Sequence, residues 1–161
     1  MTPPPRIGVG YDSHTFGAER PLLLAGVAIP HDSGLTGHSD GDAVAHAVTD
    51  AVLGAAALGD IGALFPDTDP QWRGADSLRM LATACGRVRA AGFTVGNVDV
   101  TVITQRPRLA PHVPAMRERL AAALGVPAGS VSVKGKTNEG MDAVGRGEGL
   151  QVFAVALLLP S

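Results

Sequence analysis

The sequence contains one cysteine, few aromatic residues and no long apolar run, and the first and last of these shortages each exclude a class of protein. Cys85 has no partner for an internal disulfide, and its place beside Leu81 and Val88 in a predicted helix indicates a buried, inert thiol. The longest apolar run, Phe153 to Leu159, has only strand length, so no membrane span is expected. The first residues lack a basic region followed by an apolar block, so we expect a cytoplasmic protein.

Net charge and composition limit the partners and the domain organisation that the chain is expected to have. The formal net charge is -2 and the 13 basic residues are scattered, so nucleic acid is not expected as a partner. With 161 residues and 45% apolar content, the chain is predicted to form one domain, 1–161, with a flexible N-terminal extension at 1–5. The 4% aromatic content and 21 glycines indicate a core of small side chains, which leads to the hypothesis that neighbouring subunits complete it.

Hydrophobic periodicity predicts eight elements in the order ββααβαββ. This order indicates an α+β fold, a two-layer sandwich of helices on a mixed sheet. A capping box at Ser39 and Asp42 is expected to start the first helix. The predicted strands are 6–11, 22–29, 98–103, 131–134 and 150–159, and the predicted helices are 39–58, 75–91 and 113–124.

Two groups of polar side chains suggest a metal site. Asp12 and His14 stand two apart just after the first predicted strand, and residues i and i+2 of an extended chain point to the same side. Asp42, His46 and Asp50 recur every four residues on one face of an apolar helix. One helix imidazole with Asp12 and His14 would give the three ligands of a catalytic zinc, and Asp42 or Asp50 could orient the imidazole. The alternative is that these residues are ordinary caps and surface side chains.

Three loops could bind phosphate. The segment 38–42 precedes the first helix, whose N-terminus could hold an anion next to the metal, although ordinary capping explains the segment equally well. The segment 134–140 combines two lysines, a threonine and a glutamate, a set suited to phosphate with a hard divalent cation. In 145–149, an ion pair between Arg146 and Glu148 is as plausible as contact with a ligand.

Taken together and in order, these segments resemble the methylerythritol cyclodiphosphate synthase family. The resemblance covers nearly the whole chain. It is carried by 12–14, 38–42 with His46, 59–69, 107–112, 134–139 and 145–149.

The resemblance implies a homotrimer with active sites between subunits and one zinc ion per subunit. Its implied zinc ligands are Asp12, His14 and His46, and Glu139 is the implied ligand of a second divalent cation, Mg²⁺ or Mn²⁺. The implied substrate is 4-diphosphocytidyl-2-C-methyl-D-erythritol 2-phosphate, which loses CMP as its 2-phosphate attacks its own β-phosphate. The implied catalytic residues are Asp12, His38, Thr137 and Glu139. The implied substrate contacts are His38, Ser39, Asp60, Ile61, Gly62, Asp67, Thr104, Pro107, Arg108, Leu109, Ala110, Lys136, Thr137 and Arg146.

The chain departs from the family pattern at two places. Residues 141–144 replace an aromatic residue that many members carry beside an apolar cavity on the trimer axis. Lys136 stands where a small hydroxyl residue is common, so an additional cation is predicted beside the cytidine diphosphate.

Two other functions remain open at the level of sequence. An open metal position beside a phosphate site could activate water, as in a zinc phosphohydrolase. Alternatively, the chain could form a non-catalytic trimer in which the metal only stabilises the fold. Replacing Glu139 or Lys134 would abolish turnover with little loss of stability in a synthase, and would leave the function of a non-catalytic trimer intact.

Overall fold

A five-stranded mixed sheet forms one layer of the molecule in the computed structural model, which describes all 161 residues. Its strand order is β4-β1-β7-β5-β6, and every neighbouring pair is antiparallel except β5 with β6. The strands are β1 (Arg6–Ala18), β4 (Gly34–Leu35), β5 (Phe93–Ile103), β6 (Val131–Lys136) and β7 (Gly149–Pro160), with a separate hairpin of β2 (Leu22–Leu24) and β3 (Val27–Ile29).

The helices cover one face of the sheet, which confirms the predicted α+β class with helices on a mixed sheet. A cluster of 34 buried apolar residues lies between the layers. None of the helices combines the length and apolarity that a membrane span needs. The helices are α1 (Ala43–Ala55), α2 (Ile61–Leu64), α3 (Ser77–Ala90), α4 (Val113–Leu124) and α5 (Asp142–Gly145).

Two glycines of β1 let α1 lie directly on the sheet. A Cβ placed on Gly8 would come within 2.2 Å of the Ala51 carbonyl oxygen, and one on Gly10 within 1.8 Å of that of Ala47. Both obstacles are helix backbone, so no side-chain movement could relieve them. The absence of side chains at these positions therefore sets the distance between α1 and β1, which together carry the predicted metal ligands.

The opposite face of β1 and β7 is apolar and has no covering helix. Ile7 and Val9 are 76% and 68% exposed, and Tyr11 packs against Phe153 with ring centroids 5.1 Å apart. Val9 is paired with exposed Val155 in the antiparallel ladder. An apolar face of this kind marks a surface for association.

Four local predictions were wrong. β1 extends to Ala18, so Asp12 and His14 lie inside the strand and not just after it. The run 22–29 is a hairpin because Ala25 and Gly26 form a turn with φ of 53° and 71° inside it. β5 begins at Phe93, five residues before the predicted start. Finally, no capping box starts α1: Asp42 is itself the N-cap, and its Oδ1 accepts from the Ala45 N–H at 3.0 Å.

Candidate functional site

Asp12, His14 and His46 form a compact cluster where β1 passes under α1. Nε2 of His14 lies 2.7 Å from Oδ2 of Asp12, and Nδ1 of His46 lies 3.0 Å from the same oxygen. The two ring nitrogens are 3.4 Å apart. The structure thus brings together the three residues predicted as metal ligands, with all ligand atoms within 4.8 Å of one another. Such a cluster is consistent with a divalent metal ion.

Contacts within the cluster shift the pKa values of Asp12 and His14. Burial alone would raise the pKa of Asp12, but hydrogen bonds from His14 and His46 outweigh it and lower that pKa to about 2. Burial opposes protonation of His14, yet the hydrogen bond and charge of Asp12 raise the pKa of the imidazole. Asp12 is therefore a carboxylate at every ordinary pH and is available as an oxygen ligand.

A backbone carbonyl of the loop between β4 and α1 holds His14. Its Nδ1 donates to the carbonyl of Thr36 at 2.5 Å, which leaves Nε2 facing Asp12. Arg20 donates to the carbonyls on either side, of Leu35 at 2.8 Å and of Ser39 at 2.7 Å. His14 and Arg20 therefore fix this loop. Sequence reasoning did not connect these two side chains with the loop, because each precedes its carbonyl partners by at least fifteen residues.

Hydroxyl groups rather than carboxylates contact the outer nitrogen of His46. Nε2 lies 2.9 Å from Oγ of Ser39 and 2.8 Å from Oγ of Ser77. The hypothesis that Asp42 or Asp50 orients this imidazole was wrong. Oδ1 and Oδ2 of Asp42 accept from the N–H groups of residues 25 and 26, and Asp50 accepts from that of residue 61. Sequence reasoning missed Ser77 because it lies 31 residues away at the start of another helix.

The helix N-terminus predicted to hold an anion is closed. Asp42 and the residues 43–45 that follow it are fully buried, and the Asp42 carboxylate already accepts from the Ala45 N–H. Burial raises the pKa of Asp42 to about 6 although three backbone N–H groups oppose the rise. The alternative of ordinary capping is thus confirmed, and the first turn of α1 is buried with its Ala45 N–H already bonded to Asp42.

A pocket of about 380 Å³ opens beside His46. Most of the residues predicted to contact the sugar part of a substrate line it, whereas Asp60 instead caps α2 through the Ala63 N–H. Nε2 of His38 is buried and has no hydrogen-bond partner. A ligand in this pocket would supply that partner. The predicted residues in its wall are His38, Ser39, Ile61, Gly62 and Asp67, and the unpredicted ones include Thr68 and Trp72.

A second, larger pocket of about 1310 Å³ lies at the end of β5 and β6. Its wall contains Lys134 and Lys136, and also Pro30, His31 and Asp32, which sequence reasoning did not single out. The residues predicted for the cytidine site line this pocket, and so do the two residues predicted to contact the diphosphate. The former are Thr104, Pro107, Arg108, Leu109 and Ala110, and the latter are Lys136 and Thr137.

In the single chain, neither Glu139 nor Arg146 lines either of the two pockets. Glu139 is exposed in a tight turn, with φ of 51° and its N–H donating to Oγ1 of Thr137. Nε of Arg146 lies 3.1 Å from Oε1 of Glu148, and this ion pair raises the pKa of the guanidinium. The ion pair that sequence reasoning considered is present, and the ligand roles of Glu139 and Arg146 stay predictions.

Comparison with known proteins identifies relatives along nearly the whole chain. A 2-C-methyl-D-erythritol 2,4-cyclodiphosphate synthase of Gemmatimonas aurantiaca is 60% identical over 154 residues, covering 96% of this chain and 93% of the relative. The synthase of that name from Chromobacterium violaceum is also 60% identical, with 95% and 97% covered. A solved structure of a synthase of this name in a CDP-bound form is 44% identical, with a TM-score of 0.88, and 96% and 100% of the two chains covered.

The bifunctional IspDF of Campylobacter jejuni is similar too, with a TM-score of 0.95 and 44% identity. This chain is covered to 98% and spans 43% of that longer protein. The sequence model of the YgbB family matches residues 5–159. The chain therefore belongs to the YgbB family.

Proposed function

We propose that this chain is a zinc-dependent 2-C-methyl-D-erythritol 2,4-cyclodiphosphate synthase. Its substrate would be 4-diphosphocytidyl-2-C-methyl-D-erythritol 2-phosphate. An oxygen of the 2-phosphate would bond to the β-phosphorus while the bond from that phosphorus to the bridging oxygen breaks. The electron pair stays on the bridging oxygen, and CMP leaves. The observation that carries the proposal is that His46 belongs both to the Asp12 cluster and to the wall of the smaller pocket.

The donor set fits zinc. Zinc bonds of about 2.0–2.1 Å place tetrahedral ligands about 3.3–3.4 Å apart. The two imidazole nitrogens are 3.4 Å apart, so only Asp12 would need to withdraw by a few tenths of an ångström. One carboxylate and two imidazoles leave a fourth position open. Zinc bound there would polarise a phosphate oxygen and neutralise charge that develops on phosphorus.

The rest of catalysis in this proposal is positioning by the chain's own residues. His38, with its unpartnered Nε2, would donate to a phosphate oxygen, and Ser39 lies beside it in the pocket wall. At the other pocket, Lys136 and the hydroxyl of Thr137 would face the cytidine diphosphate. Donors fixed before the reaction cost little reorganisation when charge develops, so they favour the transition state. Glu139 would hold Mg²⁺ or Mn²⁺ together with the diphosphate oxygens, since Mg²⁺ often binds one carboxylate plus substrate phosphates.

A homotrimer with active sites between subunits is part of the proposal. The uncovered apolar face of β1 and β7 supports association, and residues such as Glu139 that lie outside both pockets would need a neighbouring chain to approach the substrate. Sedimentation should give three times the 16.3 kDa of one chain. Val9→Glu, which puts a charge on this face, should give smaller species, whereas Glu118→Gln on the exposed side of α4 should not.

Phosphorus NMR of the protein with the cytidine diphosphate substrate and Mg²⁺, before and after zinc is removed by a chelator, tests the reaction. A cyclic diphosphate and CMP that form only with metal would support the synthase. Inorganic phosphate would support the phosphohydrolase, and unchanged substrate under every metal condition would support the non-catalytic trimer. Glu139→Gln should lose turnover at unchanged stability, and Glu118→Gln, an exposed glutamate of α4, is the matched control.

A further inference from the structure

A chain of hydrogen bonds reaches His46 from the side away from Asp12. Oγ of Ser77, 2.8 Å from Nε2 of His46, donates its single proton to Oδ1 of Asp40 at 2.5 Å. Because that proton is already used, the hydroxyl can only accept from the imidazole, so Nε2 carries the ring proton. In the neutral ring Nδ1, the nitrogen that faces Asp12, then has the free lone pair; the hydrogen bond from Nδ1 to Asp12 in the metal-free cluster needs a second ring proton, which a metal ion at Nδ1 would replace.

Asp40 is itself held in place. Its Oδ2 accepts from the backbone N–H of Ser77 at 3.0 Å, and its Oδ1 accepts from that of Asp42 at 3.1 Å. The carboxylate thus lies at the N-terminus of α3, where the helix dipole favours a negative charge. Asp40, at one end of this series of hydrogen bonds, is thus held by α3, and His46, at the other end, belongs to α1.

Capping of α3 does not explain the Ser77 hydroxyl. The N-cap of α3 is Asp76, whose Oδ1 accepts from the N–H groups of Leu78 and Arg79. Ser77 is fully buried, and its hydroxyl turns away from the helix axis toward His46 and Asp40. The two short contacts of this buried hydroxyl go to Asp40 and His46, and Oγ of Ser39 lies farther away at 3.4 Å. With no capping role, such a hydroxyl is suited to fixing one of its partners.

We propose that Ser77 and Asp40 are positioning residues that fix the ring orientation and ring proton of His46 and thereby set the affinity of the cluster for a divalent metal ion. The inference rests on the proposed metal site but not on the proposed reaction. Removing an outer partner of a metal-binding histidine typically weakens metal binding by about 10–100-fold. His14 has a backbone carbonyl as its corresponding partner, so Ser77 is the place where a side-chain change tests this effect.

The experiment is a competition titration of zinc against a chromogenic chelator for the unchanged protein and four variants. Ser77→Ala should weaken zinc binding by about 10–100-fold, and Ser77→Thr, which keeps the hydroxyl, should restore it. Asp40→Asn keeps the serine and the side-chain size, and should also weaken binding. Asp76→Ala is the matched control: it removes the cap one residue away and should lower thermal stability without changing zinc affinity.

NMR of the zinc-loaded proteins gives a second readout. The Nε2 proton of His46 should be protected from exchange with water in the unchanged protein and should exchange faster in Ser77→Ala, where Oγ of Ser39 at 2.9 Å is the partner that remains. Unchanged zinc affinity in a folded Ser77→Ala protein overturns the inference and leaves the proposed function standing. If that variant does not fold, unchanged affinity in Asp40→Asn overturns it instead. A complete lack of zinc binding by the unchanged protein overturns both proposals.

Discussion

The close contact between α1 and β1 gives the sharpest prediction, for Gly10→Ala. A Cβ at Gly10 would lie 1.8 Å from the Ala47 carbonyl oxygen, whereas real Cβ contacts essentially never fall below 3.0 Å. The helix would therefore have to retreat by about 1.2 Å before the alanine fits, since backbone cannot move aside as a flexible side chain does. The substitution should displace α1 as a body, and with it His46, which precedes Ala47.

The expected cost has two parts. Overpacking a close-packed core typically costs about 1–3 kcal/mol, and contact with backbone places this site near the upper end, so the free energy of unfolding should fall by about 3 kcal/mol. Functional constellations tolerate displacements of only about 0.5 Å. A retreat of about 1.2 Å should thus reduce zinc affinity at least about tenfold, because His46 leaves its place beside Asp12.

Chemical denaturation and zinc competition together test this prediction. The matched control is Gly54→Ala on α1 itself, where the nearest atom to a new Cβ is the Val9 carbonyl oxygen at 4.0 Å. That change should keep zinc affinity and should raise stability by up to about 1 kcal/mol, since alanine favours a helix over glycine. A Gly10→Ala protein with unchanged unfolding and unchanged zinc affinity would refute the argument that the missing side chain sets the position of α1.

Three further predictions concern the loop, the metal ligands and the thiol. Arg20→Lys should speed amide exchange in 36–39, measured by mass spectrometry, because an ammonium cannot replace the guanidinium fork across several carbonyls, and unchanged exchange would contradict this. Zinc affinity should fall at least about tenfold per pH unit below the raised pKa of His14, since zinc must displace the imidazole proton. Asp12 stays ionised there, and an affinity that does not change with pH would contradict the proposed imidazole ligands. Burial raises the pKa of Cys85 from 9.0 to about 11, so thiol reagents at mildly alkaline pH should meet about 100-fold less thiolate in the folded than in the unfolded protein, and equal labelling rates would refute the burial.

The elements with clear periodicity could be predicted from the sequence, and several of their ends could not, although α4 has both of its predicted ends. The strand at 98–103 and the helix at 113–124 were found because their apolar residues recur at periods of two and 3.6. The hairpin at 22–29 was missed because its turn consists of Ala25 and Gly26, which continue an apolar run instead of interrupting it. Turn geometry there depends on the Asp42 carboxylate, which accepts from both turn amides and comes later in the chain.

The inner part of the candidate metal site was also predictable. Asp12 and His14 share a side of β1 by strand geometry, and His46 stands out as a polar residue on a buried helix face. The contact of Ser77 with the outer nitrogen of His46 was not predictable. An aspartate followed by a serine at the start of α3 is already explained by helix capping, so the sequence does not indicate a second role for the serine. Asp42 was misjudged for a related reason: helical spacing describes side chains within a helix, whereas an N-cap residue turns back to the first free amides.

The many small residues were interpreted as a thin core that neighbouring subunits complete, and the structure gives some of them a second role. Gly8 and Gly10 are required by the approach of α1, on the covered face of β1, whereas Ile7 and Val9 alternate with them on the uncovered apolar face. One strand thus combines a close contact that brings the His46 helix to Asp12 with an apolar surface suited to another subunit. A shift of register by one residue would exchange the two faces and lose both properties, so the metal cluster and the association surface depend on a single alternation in the sequence.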